Sequence, residues 1–196
     1  MTGSGAMEGT AHPPKRTGLL LAAGASRRFG PEDKLLAPFA GRPLLSHAAA
    51  AMRAAALDRR IAVVSSAETA ALLDGFEVIR IAQGEQSDSL RAGIAAAGTP
   101  DRLLIALGDM PLVSAELLDR VIAACTDDHA SAGREANGPP MPPACFPASW
   151  LPRLAELTGD QGAGRLLRDL PAGQIIDASG QLPDIDTPEA LRKLSR

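Results

Sequence analysis

Three groups of residues in this chain have the types and spacing of a phosphate chemistry. The first follows an apolar run. Thr17-Gly-Leu-Leu-Leu-Ala-Ala-Gly24 leads into Ala-Ser-Arg27-Arg28-Phe-Gly-Pro-Glu-Asp-Lys34. A buried strand that feeds a small-residue loop can present backbone N–H groups to phosphate oxygens. Arg27, Arg28 and Lys34 place positive charge where a triphosphate would lie. The loop is not a P-loop, because Gly30 is followed by Pro31-Glu32 rather than Lys-Ser/Thr. Nor is it a dinucleotide fingerprint, because Gly18, Gly24 and Gly30 do not give G-x-G-x-x-G.

The second group is Leu103-Leu-Ile-Ala-Leu-Gly-Asp109-Met-Pro111. A buried strand delivers Asp109 at its carboxyl end, the edge where ligands bind in open α/β sheets. The third is Pro183-Asp184-Ile-Asp186-Thr-Pro-Glu189. Asp184 and Asp186 alternate along an extended segment and point to one side. Carboxylates are the hard-oxygen donors that Mg²⁺ takes, usually one or two of them together with substrate phosphates. Each acidic group alone also reads as a turn or helix-entry residue. Together with the basic loop, Asp109 and Asp186 describe a metal–triphosphate site.

These residues need a scaffold, and strand and helix patterns alternate from Thr17 to about Ala124. The expected strands are Gly18–Ala23, Ile61–Ser65, Glu77–Ile81 and Arg102–Leu107. They are short apolar runs without polar alternation, as in parallel strands covered on both faces. Helical spacing covers Pro43–Leu57, Ser89–Ala97 and Ala115–Ala124, with Ser87 and Ser114 as expected N-caps. The pattern predicts an α/β fold of three layers, doubly wound around a mostly parallel, Rossmann-like sheet. Beyond it, Asn137–Pro147 holds five prolines and reads as an extended loop covering something. Ser149–Leu157 and Gly162–Asp169 read as helical and Gln174–Asp177 as a short strand. Thr187-Pro-Glu opens a last helix through Leu194. Met1–Arg16 reads as a disordered tail, leaving 17–196 as a single domain.

Composition excludes several classes. A net charge of −3 argues against nucleic acid as a partner, and no apolar run approaches a membrane span. With no signal-peptide pattern and two distant cysteines, the expectation is a reduced, cytoplasmic setting. Cys125 and Cys145 read as small packing residues. His12, His47 and His129 are scattered and make no zinc site. Phe146 and Trp150 read as core anchors.

The motifs Leu21-Ala-Ala-Gly-Ala-Ser-Arg-Arg-Phe-Gly, Lys34-Leu-Leu, Gly41-Arg-Pro-Leu-Leu, Gly108-Asp-Met-Pro and Asp184-Ile-Asp-Thr-Pro-Glu resemble, in that order, the MobA-like nucleotidyltransferases. Within that family the chain is most similar to the molybdenum cofactor cytidylyltransferases. The resemblance implies transfer of CMP from CTP to the phosphate of molybdopterin with release of pyrophosphate, and a molybdenum hydroxylase as recipient of the product. It implies that Leu21, Ala22, Ala23 and Gly24 contact base and ribose, and that Arg28 and Lys34 grip the β- and γ-phosphates. Ser87 and Ser89 would belong to the base-facing helix start, and Asp109 and Asp186 would hold Mg²⁺. Arg28, Lys34 and Asp109 would carry catalysis. Gly159-Asp-Gln-Gly-Ala163 resembles the family's turn near the pterin phosphate.

Guanylyltransferases of the family usually carry Leu-Ala-Gly-Gly where this chain has Leu-Ala-Ala-Gly. A Cβ at Ala23 narrows the approach to the backbone and favours a pyrimidine, a discrimination of about 1–3 kcal/mol. Met141-Pro-Pro-Ala-Cys-Phe146 keeps the family's Pro and Phe but lacks its Gly and polar residue. That departure leaves open another phosphorylated acceptor; the competing readings are a guanylyltransferase and a non-catalytic carrier of the finished cofactor, the latter opposed by the presence of Arg28, Lys34, Asp109 and Asp186.

Overall fold

A computed structural model describes residues 13–24, 29, 33–82, 85–136, 138–159 and 163–194. Arg27, Arg28, Gln83, Gly84 and the Asp160-Gln-Gly162 part of the late turn lie outside these residues.

The first half follows the alternation. β1 (Arg16–Ala22) is flanked in parallel by β4 (Arg59–Val64) on one side and β6 (Arg102–Leu107) on the other, and β5 (Glu77–Arg80) adds outside β4. β1 begins one residue inside the stretch read as a tail. Lys15 and Arg16 donate backbone N–H bonds to Asp101 and Asp58. Adjacent side chains of β1 go to opposite faces. Leu20 packs beneath α1 (Leu44–Ala54) and α4 (Ala115–Ala124), among Met52, Leu118 and Val121. Leu19 packs beneath α3 (Gln86–Ala97) and α5 (Leu151–Ala155), among Leu90, Phe146 and Leu154. These two apolar clusters make the three layers.

Connections from β1 lead outward to β4 and β5 through α1 and α2 (Ala67–Ala70), then return across the sheet to β6. The order reverses between β1 and β6, which is the switch point where such sheets bind ligands. A small hairpin, β2 (Pro38–Phe39) and β3 (Arg42–Pro43), precedes α1.

The second half departs from the expectation. Met141–Pro147 is not a covering loop but β8, a strand running antiparallel between β6 and β7 (Ser131–Arg134). Ala144, Cys145 and Phe146 supply the ladder positions shared by both neighbours or facing β6. The prolines fall at its ends, where the β7 register shifts between Ala132 and Gly133. Proline cannot donate to a ladder, but here the donors needed come from three non-proline residues. β9 (Ile175–Asp177) then pairs in parallel with β7, and the sheet order is β5-β4-β1-β6-β8-β7-β9.

Helix ends are also informative. Ser114 caps α4 through the Leu117 N–H, and Thr187 accepts from Ala190 N–H at the start of α6 (Pro188–Leu194). α3, however, starts at Gln86 rather than after Ser87, with Glu85 at the cap and its N–H bonded to the Asp88 carboxylate. The segment 149–157 divides into a 3₁₀ turn at Ala148–Trp150 and α5, and 163–167 is 3₁₀ rather than α. No helix among the described residues is long and apolar enough to cross a membrane.

Candidate active site

The site is built at the carboxyl ends of β1 and β6. Gly108 donates its N–H to the Leu21 carbonyl at 2.9 Å, which ties the loop after β6 to the end of β1. Ile185 donates to the Asp109 carbonyl at 3.1 Å, which seats the 183–187 segment against the same loop. Between them a 3₁₀ turn, Lys34–Leu36, is capped by Asp33, whose carboxylate accepts from Leu35 N–H. Leu44 donates to the Ala37 carbonyl and fastens this turn to α1. Phe39, Leu44 and Ile185 form a small buried cluster beneath, so the turn and the C-terminal segment share one apolar support.

This arrangement brings together three residues that are far apart in sequence. Lys34 Nζ donates to Asp109 Oδ2 at 2.7 Å and to Asp186 Oδ1 at 2.9 Å. Lys34 is 8% exposed. Burial by itself lowers an ammonium pKa, but the charge and hydrogen bond of Asp109, followed by those of Asp186, outweigh it and hold Lys34 above its ordinary value. Lys34 is thus the counter-ion of both carboxylates. Asp184 stands beside them, its carboxyl pushed up by burial and by the charges of Asp186 and Asp109.

Two buried side-chain oxygens among the described residues have no hydrogen-bond partner, Asp109 Oδ1 and Ser87 Oγ. Buried oxygens without partners are uncommon, and at a site they mark a place for a ligand. Among the described residues no three His, Cys, Asp or Glu side chains gather as a metal cage. A pair of carboxylates with one free buried oxygen nevertheless suits a hard cation that completes its shell with phosphates and water.

The remaining expected residues are placed as follows. Leu21 is partly buried, Ala22 and Ala23 are buried, and Gly24 is exposed. Ser87 and Ser89 lie in the first turn of α3, both buried. Arg28 lies outside the described residues. Ala23 differs from the expectation. Ala23 is 1% exposed and packs in the apolar cluster with Ile61, Val63 and Leu90, so its methyl is not a wall facing a base. The direction of that side chain depends on the twist of the loop after β1, which spacing does not reveal. Residue spacing also missed that Lys34 would join both acids. The signal for it was charge balance, since two convergent carboxylates in a partly buried site need a cation.

A sequence model of the MobA-like NTP transferase domain matches residues 18–175. The purine catabolism protein PucB of Bacillus subtilis is 32% identical over 196 residues, covering 90% of this chain and 94% of that protein. Nicotine blue oxidoreductase of Paenarthrobacter nicotinovorans is 30% identical over 200 residues, covering 92% and 97%. The crystal structure of Rv0371c from Mycobacterium tuberculosis H37Rv superposes with a TM-score of 0.79 at 30% identity, over 92% of this chain and 97% of that one. The same protein is known in complex with manganese, with a TM-score of 0.75.

Proposed function

The chain belongs to the MobA-like NTP transferase family and is a nucleotidyltransferase, and from that premise we propose that residues 17–196 act as one domain that transfers CMP from CTP to the phosphate of molybdopterin. The observation that carries this reading is the buried Lys34 shared by Asp109 and Asp186, with Asp109 Oδ1 left unpartnered. A terminal phosphate oxygen of the acceptor attacks the α-phosphorus of CTP, and pyrophosphate leaves. No protein nucleophile is needed, because the acceptor is already an anion. What the protein supplies is position and charge neutralisation.

Asp109 and Asp186 are the residues that would hold Mg²⁺. Bound there, a divalent cation polarises phosphoryl oxygens as a Lewis acid. The manganese complex of the related Rv0371c supports a divalent ion. Lys34, drawn from the acids toward the β- and γ-phosphates, and Arg28 neutralise the leaving pyrophosphate. The 21–24 backbone and the first turn of α3, with Ser87 and Ser89, hold the base and ribose. A molybdenum hydroxylase would take the product.

CTP is favoured over GTP by the resemblance of Leu21-Ala-Ala-Gly24 to the cytidylyl branch, not by sterics at the Ala23 methyl. An oxidoreductase reading, raised by the name of the Paenarthrobacter relative, has no dinucleotide fingerprint behind it. The test is pyrophosphate release with Mg²⁺ and molybdopterin, comparing CTP, GTP, ATP and UTP. Release with CTP alone is expected. Release with GTP alone overturns the base assignment, and release with none overturns the acceptor.

A further inference from the structure

The hairpin before α1 is too small to hold itself. β2 and β3 have two residues each. Phe39 pairs with Arg42 across a turn in which Ala40 and Gly41 both take positive φ, 45° and 82°. A lone two-stranded hairpin is marginal in water even when it is longer. Its strap is His47, half-buried on α1. His47 Nε2 lies 2.9 Å from the Phe39 carbonyl oxygen, and Nδ1 lies 3.3 Å from Nη2 of Arg42. A guanidinium only donates, so Nδ1 accepts, and the ring hydrogen stands on Nε2 and is donated to Phe39. One imidazole thus bonds both members of the Phe39–Arg42 pair, one from each strand. Its ring also meets the Phe39 ring at 68°, with centroids 5.0 Å apart.

Phe39 leads on to the phosphate site. It is 6% exposed and belongs with Leu44 and Ile185 to the small buried cluster under the Lys34–Leu36 turn. Ile185 is next in sequence to Asp186, which lies in the coil before α6. Two things seat that coil: the Ile185 bond to the Asp109 carbonyl and the apolar contact of Ile185 in this cluster.

We infer that His47 is a positioning residue of the phosphate site: through its hydrogen bond to Phe39 it fixes the support of Ile185, and so holds the Asp186 carboxylate at Lys34.

His47 acts here within the proposed reading of Lys34, Asp109 and Asp186 as the working groups, whatever nucleotide or acceptor they serve. The two arms of the Lys34 ammonium depend on it unequally. Asp109 stands at the end of β6 and keeps its bond to Lys34 without the hairpin, whereas Asp186 reaches Lys34 only by way of the supported coil. Loss of the strap therefore loosens one arm.

The experiment reads that arm directly. The chain has three lysines, Lys15, Lys34 and Lys193, so their ammonium signals are separable by ¹⁵N NMR of the full-length protein without nucleotide. The measured quantity is the exchange rate of the Lys34 ammonium hydrogens with water, and Asp186→Asn sets the reference for a lost arm. His47→Leu is expected to speed exchange about fivefold, as for one lost hydrogen bond. Added to Asp186→Asn, it should speed exchange no further, because both changes remove the same arm. His47→Gln should restore the wild-type rate, since its amide can donate to Phe39 and accept from Arg42. A general loosening of the fold would add to Asp186→Asn and would not be repaired by Gln. The role is overturned if His47→Leu leaves Lys34 unmoved while Asp186→Asn speeds it, if the two changes add, or if Gln behaves as Leu does. If Asp186→Asn itself leaves Lys34 unmoved, the lysine–carboxylate site falls, and this role with it. Should His47→Leu fail to fold, the imidazole ¹⁵N spectrum of the wild-type protein decides. A hydrogen on Nε2, coupled across the bond to the Phe39 carbonyl, is expected, and a hydrogen on Nδ1 alone overturns the role.

Discussion

The parallel half of the sheet and its antiparallel extension are built by different means. From β5 to β6 every strand is parallel, each crossover carries a helix, and the apolar runs are continuous because both faces are covered. In the extension β8 runs antiparallel to both its neighbours, β7 and β9 have only four and three residues, and α5 with several 3₁₀ segments joins β8 to β9. The first half carries Lys34, Asp109 and Ser87, and the chain beyond the extension returns Asp186 to them. The difference teaches that the carboxylate pair is not one unit. Asp109 sits on rigid scaffold with its side chain 17% exposed, whereas Asp186 arrives on a segment held by the Ile185 bond and is 40% exposed.

The sharpest test of that contrast is to remove each charge. In the nucleotidyltransfer assay, Asp109→Asn is expected to abolish most turnover and to weaken the dependence on added Mg²⁺. Asp186→Asn should cost less, because water can replace part of what an exposed oxygen supplies. Lys34→Ala should cost on the order of 10²–10³ in kcat, as for the loss of other preorganised electrostatic groups. Equal losses at both aspartates would break the comparison and make the pair a single cooperative unit.

This asymmetry explains what could be read from the chain. β1 and β6 were legible because burial on both faces demands uninterrupted apolar residues. The caps Ser114 and Thr187 were legible because an orphan N–H needs a short polar side chain. Asp109 follows the end of β6 as the pattern implied, but Asp186 comes on the coil before α6 rather than at a strand end, and the Ile185 bond to the Asp109 carbonyl brings it there. β8 was not legible. Proline argues against a central strand, and only the ladder shows that Ala144, Cys145 and Phe146 carry the pairing. β7, with Ser131-Ala-Gly-Arg134, has no β-formers to announce it. The place of the Ala23 methyl and the two hydrogen bonds of Lys34 depend on side-chain direction, which tertiary packing decides.

Packing should respond differently in the two halves. A Cβ added at Gly93 of α3 would stand 2.4 Å from Leu19 Cδ1 and 3.0 Å from its Cγ. Leu19 is fully buried and has nowhere to turn. Gly93→Ala is therefore expected to destabilise by about 1–3 kcal/mol in urea unfolding. At Gly133 of β7 the nearest atom is Leu182 Cδ1 at 3.2 Å, the end of a flexible side chain. Gly133→Ala should cost less than Gly93→Ala. The reverse order would mean that the extension is the more tightly packed region.

The extension relies instead on specific polar ties. Ser131 Oγ donates to the Val121 carbonyl at 2.5 Å, and both residues are buried. Near the end of α4 that carbonyl has lost its usual partner, since Cys125 N–H turns to Ile122. Ser131→Ala leaves it unsatisfied, at a cost of about 1–2 kcal/mol by the same urea assay. A neutral result would show that the β7–α4 contact rests on apolar packing alone.

At the opposite edge of the sheet the polar tie is exposed. Arg59 of β4 donates to Glu77 of β5 at 2.5 Å through Nη2 and at 3.1 Å through Nε. Both side chains are more than 40% exposed. Both donors converge on the one Oε2 oxygen, water and salt compete for each partner, and exposed ion pairs contribute about 0–1 kcal/mol. Arg59 Nη1 also holds the Ala97 carbonyl at the end of α3, so losing Glu77 leaves the guanidinium anchored. Glu77→Gln should thus lower stability by less than Ser131→Ala, and the difference from wild type should shrink as salt screens the pair. A loss as large as that of Ser131→Ala, insensitive to salt, would mean that β5 is held at its edge by this contact rather than by its ladder to β4.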